Sequence, residues 1–409
     1  MITISHLGTF DVENYGDLLY PLVFRHMLKG RDARLKVRHY SLLDGDAPQE
    51  AGFKTHAARS LFEAGRDAPR RVVVGGGDIL RTDWETVAAH YDRAYRGNFG
   101  RLRGSLGTSG LLRHLPRRGL TVFGEGGFYA DRVGRRMSHS AAVPFIIDPA
   151  DLPAGSEVSY LSCGVPHDFA PAEREKVRHT FERARFVYLR DEQSAEKLRR
   201  CGVRREIHVA PDLIVTLGEQ FEHAAEARKG REILSKLGVN GERPVLCFQS
   251  NRYTGVREEE LVEHLKRYRR RTGSEVILLP LGYCHGDHRF LRRLAKKSGG
   301  AFKCVNAYSV FDIISVIAAS DVFVGTSLHG NVTAFSFGIP HLFGPLPVDK
   351  SEGFLRAVAL PAELKLRSWR EMNDKIDTAK GLGREFFSES ARRARLRIHQ
   401  VVDELLESC

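Results

Sequence analysis

The chain has 409 residues, 42% of them hydrophobic and 28% charged, with a formal net charge of +12. That length holds two or three domains with sizeable cores, and the composition is that of an ordinary soluble protein. No apolar run approaches the ~20 residues needed to span a bilayer, and the six cysteines include no CxxC pair, so neither a membrane protein nor a zinc site is expected.

A basic chain has three natural partners: nucleic acid, an anionic membrane surface, or anionic small substrates. No segment has the form of a nucleic-acid-binding module and no basic–aromatic face stands out, so nucleic acid is not an expected partner. Arginines on solvated helix faces account for most of the charge. The remainder suits a phosphorylated substrate or peripheral contact with a membrane leaflet. The N-terminus MITISHLG lacks the pattern of a secretory signal, which points to the cytoplasm.

Taken in order, Ile2–His6 reads as a strand leading through LGTFDVENYGD to a helix from about Leu18 to Leu28, with Pro21 in its first turn and Gly30 as its stop. Arg71–Val74 is a strand running into Gly75, Gly76, Gly77 and Asp78. Three glycines after a buried strand let the backbone come close to a ligand. The pattern is neither the G-x-G-x-x-G dinucleotide fingerprint nor a P-loop. Further strands are expected at Thr121–Phe123 (ending in Gly124–Gly127), Val158–Ser162, Arg185–Leu189 and Ile207–Val209. The stretches Phe53–Pro69 and Asp92–Arg118 read as surface loops or short helices.

Leu213–Gly241 reads as a junction, after which a second alternating series begins: strands at Val245–Gln249, Val276–Leu279 and Phe302–Val305, with helices at Glu258–Arg271, Asp287–Lys297 and Phe311–Ala319. Val322–Gly325 is a short buried strand, and Val332, Ala334, Phe335 and Phe337 recur at helical spacing until Gly338 and Pro340. His329 therefore stands where a strand ends and a helix begins, the edge at which ligands bind in open parallel sheets. Ala391, Ala394, Ile398, Val401 and Leu405 mark one face of a terminal amphipathic helix; Arg392, Arg393, Arg395 and Arg397 read as its solvated face.

Two successive β/α series of about 200 residues imply two doubly wound, Rossmann-like domains facing each other across a cleft, the GT-B architecture. The expected boundaries are 1–212 for the N-terminal domain on the acceptor side, 213–241 for the junction, 242–385 for the C-terminal domain and 386–409 for the terminal helix.

Six pieces, in order, carry a resemblance: Asn14-Tyr15-Gly16-Asp17, Val74-Gly75-Gly76-Gly77-Asp78, Ser162-Cys163-Gly164-Val165-Pro166, Leu189 through Ser194, Ala210-Pro211-Asp212, and Thr326-Ser327-Leu328-His329-Gly330. Together they resemble the polysaccharide pyruvyl transferase family, over roughly Ile2 to Gly344. The resemblance implies a GT-B-like fold. It also implies transfer of pyruvyl from phosphoenolpyruvate, a co-substrate, to a sugar of an exopolysaccharide, capsule or cell-wall glycan, often lipid-linked, to form a cyclic ketal. No cofactor or metal is expected. Gly104–Gly110 and Gly124–Gly127 match no family piece.

The chemistry needs a proton on the methylene carbon, an acceptor for sugar hydroxyl protons and cations for phosphate and carboxylate. His329 resembles the family's essential histidine and is the candidate proton donor or phosphate ligand. Arg190 is the candidate two-pronged clamp on the donor. Asp78 and Asp17 are candidate proton acceptors, with helix capping as their plainer alternative. The matched pieces add Asn14, Gly75, Gly76, Gly77, Ser327, Leu328 and Gly330 to the substrate-binding set. Asp191 and Asp321 read as orienting groups. Two other classes fit the same fold: a glycosyltransferase using a nucleotide sugar, which needs a ribose-binding carboxylate that is not evident after His329, and a non-catalytic polysaccharide-binding protein.

Overall fold

The computed structural model describes residues 2–32, 34–63, 70–80, 145–346 and 350–407. The strand expected at Thr121–Phe123, the turn Gly124–Gly127 and the Asp92–Arg118 stretch lie outside the described residues.

The first sheet comprises β1 (Ile2–Leu7), β2 (Leu35–Ser41), β3 (Gly45–Asp46), β4 (Lys54–Ala57), β5 (Arg71–Gly77), β6 (Glu157–Cys163), β7 (Phe186–Leu189) and β8 (His208–Val209). Their order is β3-β4-β2-β1-β5-β6-β7-β8, parallel throughout except for the β3–β4 pair. The second sheet comprises β9 (Val245–Gln249), β10 (Glu275–Leu278), β11 (Lys303–Cys304), β12 (Val322–Gly325) and β13 (His341–Phe343), all parallel, in the order β11-β10-β9-β12-β13. In each sheet the chain winds outward from its first strand, then returns and winds the other way. The winding reverses between β1 and β5 in one sheet and between β9 and β12 in the other, and ligands favour the carboxyl ends of strands at such reversals. Two doubly wound Rossmann-like domains are thus present, as the alternating pattern requires.

The helices of more than four residues are α1 (Tyr15–Lys29), α2 (Pro171–Arg183), α3 (Glu192–Arg200), α4 (His223–Ser235), α5 (Glu258–Thr272), α6 (Asp287–Lys297), α7 (Val310–Ala318), α8 (Leu328–Ser336), α9 (Ser351–Ala357) and α10 (Met372–Glu407), the last broken at Gly383 with φ 79°. The terminal helix expected from the apolar repeat is the segment after this break, and Ala391, Ala394, Ile398, Val401 and Leu405 are all buried.

Several local expectations change in the folded chain. Helix α1 begins at Tyr15, not Leu18, so Pro21 lies inside it rather than in its first turn. The helix starts early because the second domain takes up its exposed end: Tyr15 N–H donates to Leu281 O at 3.2 Å, and Asn14 bridges to Gly282. Strand β2 went unread because Lys36 and Arg38 interrupt its apolar residues on the solvated face. The Leu213–Gly241 junction is largely helical and its apolar residues Leu213, Ile214, Val215 and Leu217 are fully buried. The arginine face of α10 is only partly solvated. Arg395 donates to Val215 O at 3.2 Å and to Ser336 O, and Arg397 donates to Val209 O at 3.2 Å, tying the helix to both domains.

The core explains why the two halves stay in register. One continuous apolar cluster includes Ile4, Tyr15 and Leu19 of the first domain, Val324 and Phe335 of the second, and Ile398 of α10. A second cluster, with Val72, Val74, Tyr160 and Val187, fills the other face of the first sheet. Burying such side chains contributes about 25 cal/mol per Å² of apolar area, which sets the two sheet edges opposite each other.

Within this core His6 and His39 lie with their Nδ1 atoms 3.3 Å apart. Burial, reinforced by His39, lowers the pKa of His6 well below its ordinary value; burial, with Arg25 and His56, brings His39 down to about 3. Both are neutral in the folded protein at pH values where the unfolded chain protonates them. Their contribution is therefore present above pH ~6.5 and is lost as pH falls below it, at up to about 1.4 kcal/mol per pH unit for each histidine, in the case of His39 down to about 3. Urea midpoints measured between pH 6 and 5 should fall less steeply in His39→Leu than in the parent; an unchanged slope would mean that His39 is already protonated in the fold.

Candidate functional site

The site forms where the two winding reversals meet. Asp78 follows β5, and Arg190 follows β7 directly. Asp212 caps the short turn after β8, its Oδ1 accepting from Ile214 N–H at 3.0 Å. From the second domain, His329 is the second residue of α8 and Lys350 precedes α9.

Asp212 is 1% exposed and gathers three groups. Its Oδ2 accepts from the Tyr20 hydroxyl at 2.7 Å, lies 3.4 Å from Arg190 Nη1 and lies 3.6 Å from His329 Nε2. Tyr20 Oη is also 3.1 Å from His329 Nε2. Burial opposes ionisation of Asp212, but the His329 contact and Arg190 outweigh it and hold its pKa below the usual range. Burial and the Asp212 carboxylate push the Tyr20 phenol well up, so it stays protonated.

Arg190 is 5% exposed and faces carboxylates on three sides: it pairs with Asp78 through Nη2, with Asp212, and with Asp191 at 3.8 Å. Lys350, its side chain 40% exposed, pairs with the other oxygen of Asp78. Burial works against ionised Asp78, yet Arg190 and Lys350 hold its pKa far below the ordinary carboxylate value. Asp78 in this setting is a structural anion and a weak base. Arg190 is buried among carboxylates, whereas Lys350 is the cation nearest solvent.

Small residues make this crowding feasible. A Cβ on Gly16 would stand 1.8 Å from His329 Nδ1, and one on Gly164 would stand 2.4 Å from Asp78 Oδ1 and 2.8 Å from Arg190 Nε. Gly76 (φ +97°) and Gly77 (φ +74°) carry left-handed backbone at the end of β5, with Tyr20 packed on the first and Asp17 Oδ1 3.1 Å from the Cβ position of the second. Gly75 and Gly77 are also ladder residues of β5, opposite Leu161 and Cys163, so this run is strand rather than open turn.

The remaining expected residues sort as follows. Asp17 accepts from Asn14 Nδ2 at 2.9 Å, which joins the two at the start of α1. Ser327 caps α8, its Oγ accepting from Gly330 N–H at 3.2 Å. Leu328 is buried beside His329, and Gly330 packs against Leu281 and Phe323. Asp191 caps α3 through Ser194 N–H at 2.7 Å, and Asp321 accepts from Val245 N–H at 2.8 Å. Behind the His329 turn, Gln249 Oε1 accepts from Ser327 N–H at 2.8 Å and Gln249 Nε2 donates to Asp287 at 2.8 Å. Burial pushes Asp287 up to about 6.

Sequence reasoning missed Tyr20, Asp212 and Lys350 as site residues. Asp212 stood in a matched piece and was legible in principle. Tyr20 looks like any aromatic on a helix face, and nothing local distinguishes Lys350. Among the described residues, no group of three His, Cys, Asp or Glu side chains is placed to hold a metal ion.

The contact at Gly16 yields a direct test. Gly16→Ala should keep far-UV circular dichroism unchanged, since alanine favours a helix, while displacing the His329 ring. The His329 imidazole NMR signals, assigned by their loss in His329→Gln, should move. Unchanged signals would show that the ring does not lie over Gly16.

The sequence model of the polysaccharide pyruvyl transferase family matches residues 14–343. No curated protein sequence matches the chain. Several solved structures share its architecture. Alr3699/HepE of Anabaena in complex with UDP has a TM-score of 0.52 and 13% identity, with 100% of both chains covered. The UDP-GlcNAc 2-epimerase of Neisseria meningitidis bound to UDP-GlcNAc has a TM-score of 0.52 and 11% identity, with 100% of both chains covered. A glycosyltransferase of Rickettsia africae has a TM-score of 0.54 and 10% identity, covering 100% of this chain and 97% of that one. At these identities the likeness concerns the fold, which is GT-B-like. By the extent of the family match and the fold it adopts, the chain belongs to the polysaccharide pyruvyl transferase family.

Proposed function

We propose that the protein transfers pyruvyl from phosphoenolpyruvate to a sugar of an exopolysaccharide, capsule or cell-wall glycan and closes it into a ketal. The observation that carries this reading is His329, held through Nε2 by Asp212 and Tyr20 at a helix N-terminus, beside Arg190 and Lys350. Nε2 of the ring is engaged by Asp212 and Tyr20, and Nδ1 lies over Gly16. Asp212 orients the His329 ring, as a carboxylate does behind a catalytic histidine.

In this mechanism the imidazolium proton adds to the methylene carbon of phosphoenolpyruvate, making a methyl group and an electrophilic C2. A sugar hydroxyl oxygen bonds to C2 and loses its proton. The C2–O bond to phosphate then breaks and inorganic phosphate departs with the bonding pair. A second hydroxyl bonds to C2 and loses its proton, closing the ring. Lys350, Arg190 and the free N–H groups at the start of α8 supply the positive field for the phosphate and carboxylate. Asp17, joined to Asn14 next to Gly77, is the carboxylate of this set that fits proton acceptance better than Asp78, whose pKa the two cations depress. We assign the reaction to the cytoplasm, on a glycan that a lipid carrier can present at the membrane face; no helix among the described residues is long and apolar enough to cross a membrane.

Incubation with phosphoenolpyruvate and a panel of glycosides should release inorganic phosphate, unaffected by a chelator. His329→Gln should stay folded while kcat falls about 100-fold or more, the usual scale for a general acid. Near-normal kcat would remove His329 from the chemistry. Calorimetry showing tight UDP-sugar binding and no phosphoenolpyruvate binding would replace this reading by nucleotide-sugar transfer.

A further inference from the structure

A groove of about 510 Å³ lies on the second domain, bounded by the loop after β9 and the segment after β13. Its volume falls within the roughly 300–1,000 Å³ typical of small-ligand sites. Its wall residue Trp369 packs at Gly344, where a Cβ would meet both Trp369 and Thr326, the residue before Ser327. Leu346, also in the wall, precedes Lys350 by four residues. The groove therefore opens on the sheet edge that carries His329.

Its chemistry is specific. Tyr253 keeps 52% of its surface exposed, although Arg252 stacks over the ring at 4.9 Å and donates to its hydroxyl at 2.6 Å. An exposed aromatic ring in a groove is a platform for the apolar face of a pyranose. The Arg367 side chain is exposed and makes no ion pair among the described residues. Trp369 is 2% exposed and its Nε1–H has no hydrogen-bond partner among the described residues. An unpaired guanidinium matches a carboxylate or phosphate. A nucleoside would call for a carboxylate on its ribose. Glu260, the carboxylate in this wall, is engaged by Arg370 at 3.4 Å and by His264 at 3.7 Å.

We propose that this groove is a binding subsite for an acidic glycan, one sugar stacking on Tyr253 and its carboxylate or phosphate held by Arg367. Resting on the transfer reading, the subsite seats the acceptor from the second domain, not from the N-terminal domain that the sequence pattern assigned to it, so that the neighbouring sugar reaches His329 and Lys350.

The test is saturation-transfer NMR on the full chain with methyl β-D-glucuronide, glucose 1-phosphate, methyl β-D-glucoside and UDP. At least one of the two charged sugars should bind about tenfold better than the neutral glucoside, the worth of one good charged hydrogen bond, and the better of them identifies the anion source. Tyr253→Ala should weaken all three sugars; Arg367→Ala should bring the charged ones to the glucoside's level. Four results would each overturn the subsite: no charged sugar bound at millimolar concentration, binding unchanged in both variants, displacement of the sugars by UDP, or displacement by phosphoenolpyruvate. Phosphate release from phosphoenolpyruvate, measured in parallel, separates the two ideas. Release without groove binding removes the subsite alone, whereas groove binding without release removes the transfer reading alone.

Discussion

A buried carboxylate, Asp212, binds the site together. Placing its charge away from water is costly unless opposite charge and donors surround it. Here Arg190, Tyr20 and His329 do so, and they come from both domains. Removing one member of such a network typically costs 3–5 kcal/mol, because the remaining charge is left unpaired. The arrangement thus fixes the ring of His329 and the domain closure at once. The backbone supports it from behind: Ser162, in left-handed conformation at φ 53° in the irregular part of β6, accepts from Leu213 N–H through Oγ at 2.9 Å. That bond anchors the turn on which Asp212 sits.

The glycines of the matched pieces follow from the same constraint. Gly16 leaves room for the imidazole, Gly164 for the Asp78–Arg190 pair and Gly76 for Tyr20. A methyl group at the first two positions would stand within bonding range of a charged or titratable side chain. These pieces of sequence are separate along the chain because each serves a different wall of one pocket.

Charge balance also sets the two cations of the site apart. Arg190 is buried among carboxylates, while Lys350 reaches the same Asp78 from the solvent side. Lys350 is thus the cation of the site nearest solvent, and Arg190 holds the buried carboxylates in place.

The sequence by itself determined the alternation of strand and helix, because burial on a sheet or helix face imposes a local apolar period. Val245–Gln249, Val322–Gly325 and α6 were legible to the residue for that reason. It also determined the position of His329 at a strand-to-helix turn, since Gly325 and the capping Ser327 write that turn locally. Only the tertiary structure decided that α1 starts at Tyr15, because the partner for its first N–H, Leu281 O, belongs to the other domain. Only the tertiary structure brought Tyr20, Asp212 and His329 onto one contact, across separations of 192 and 309 residues. Local periodicity reports which face of an element is buried; which buried faces meet depends on sheet order and domain packing, and those are properties of the whole chain.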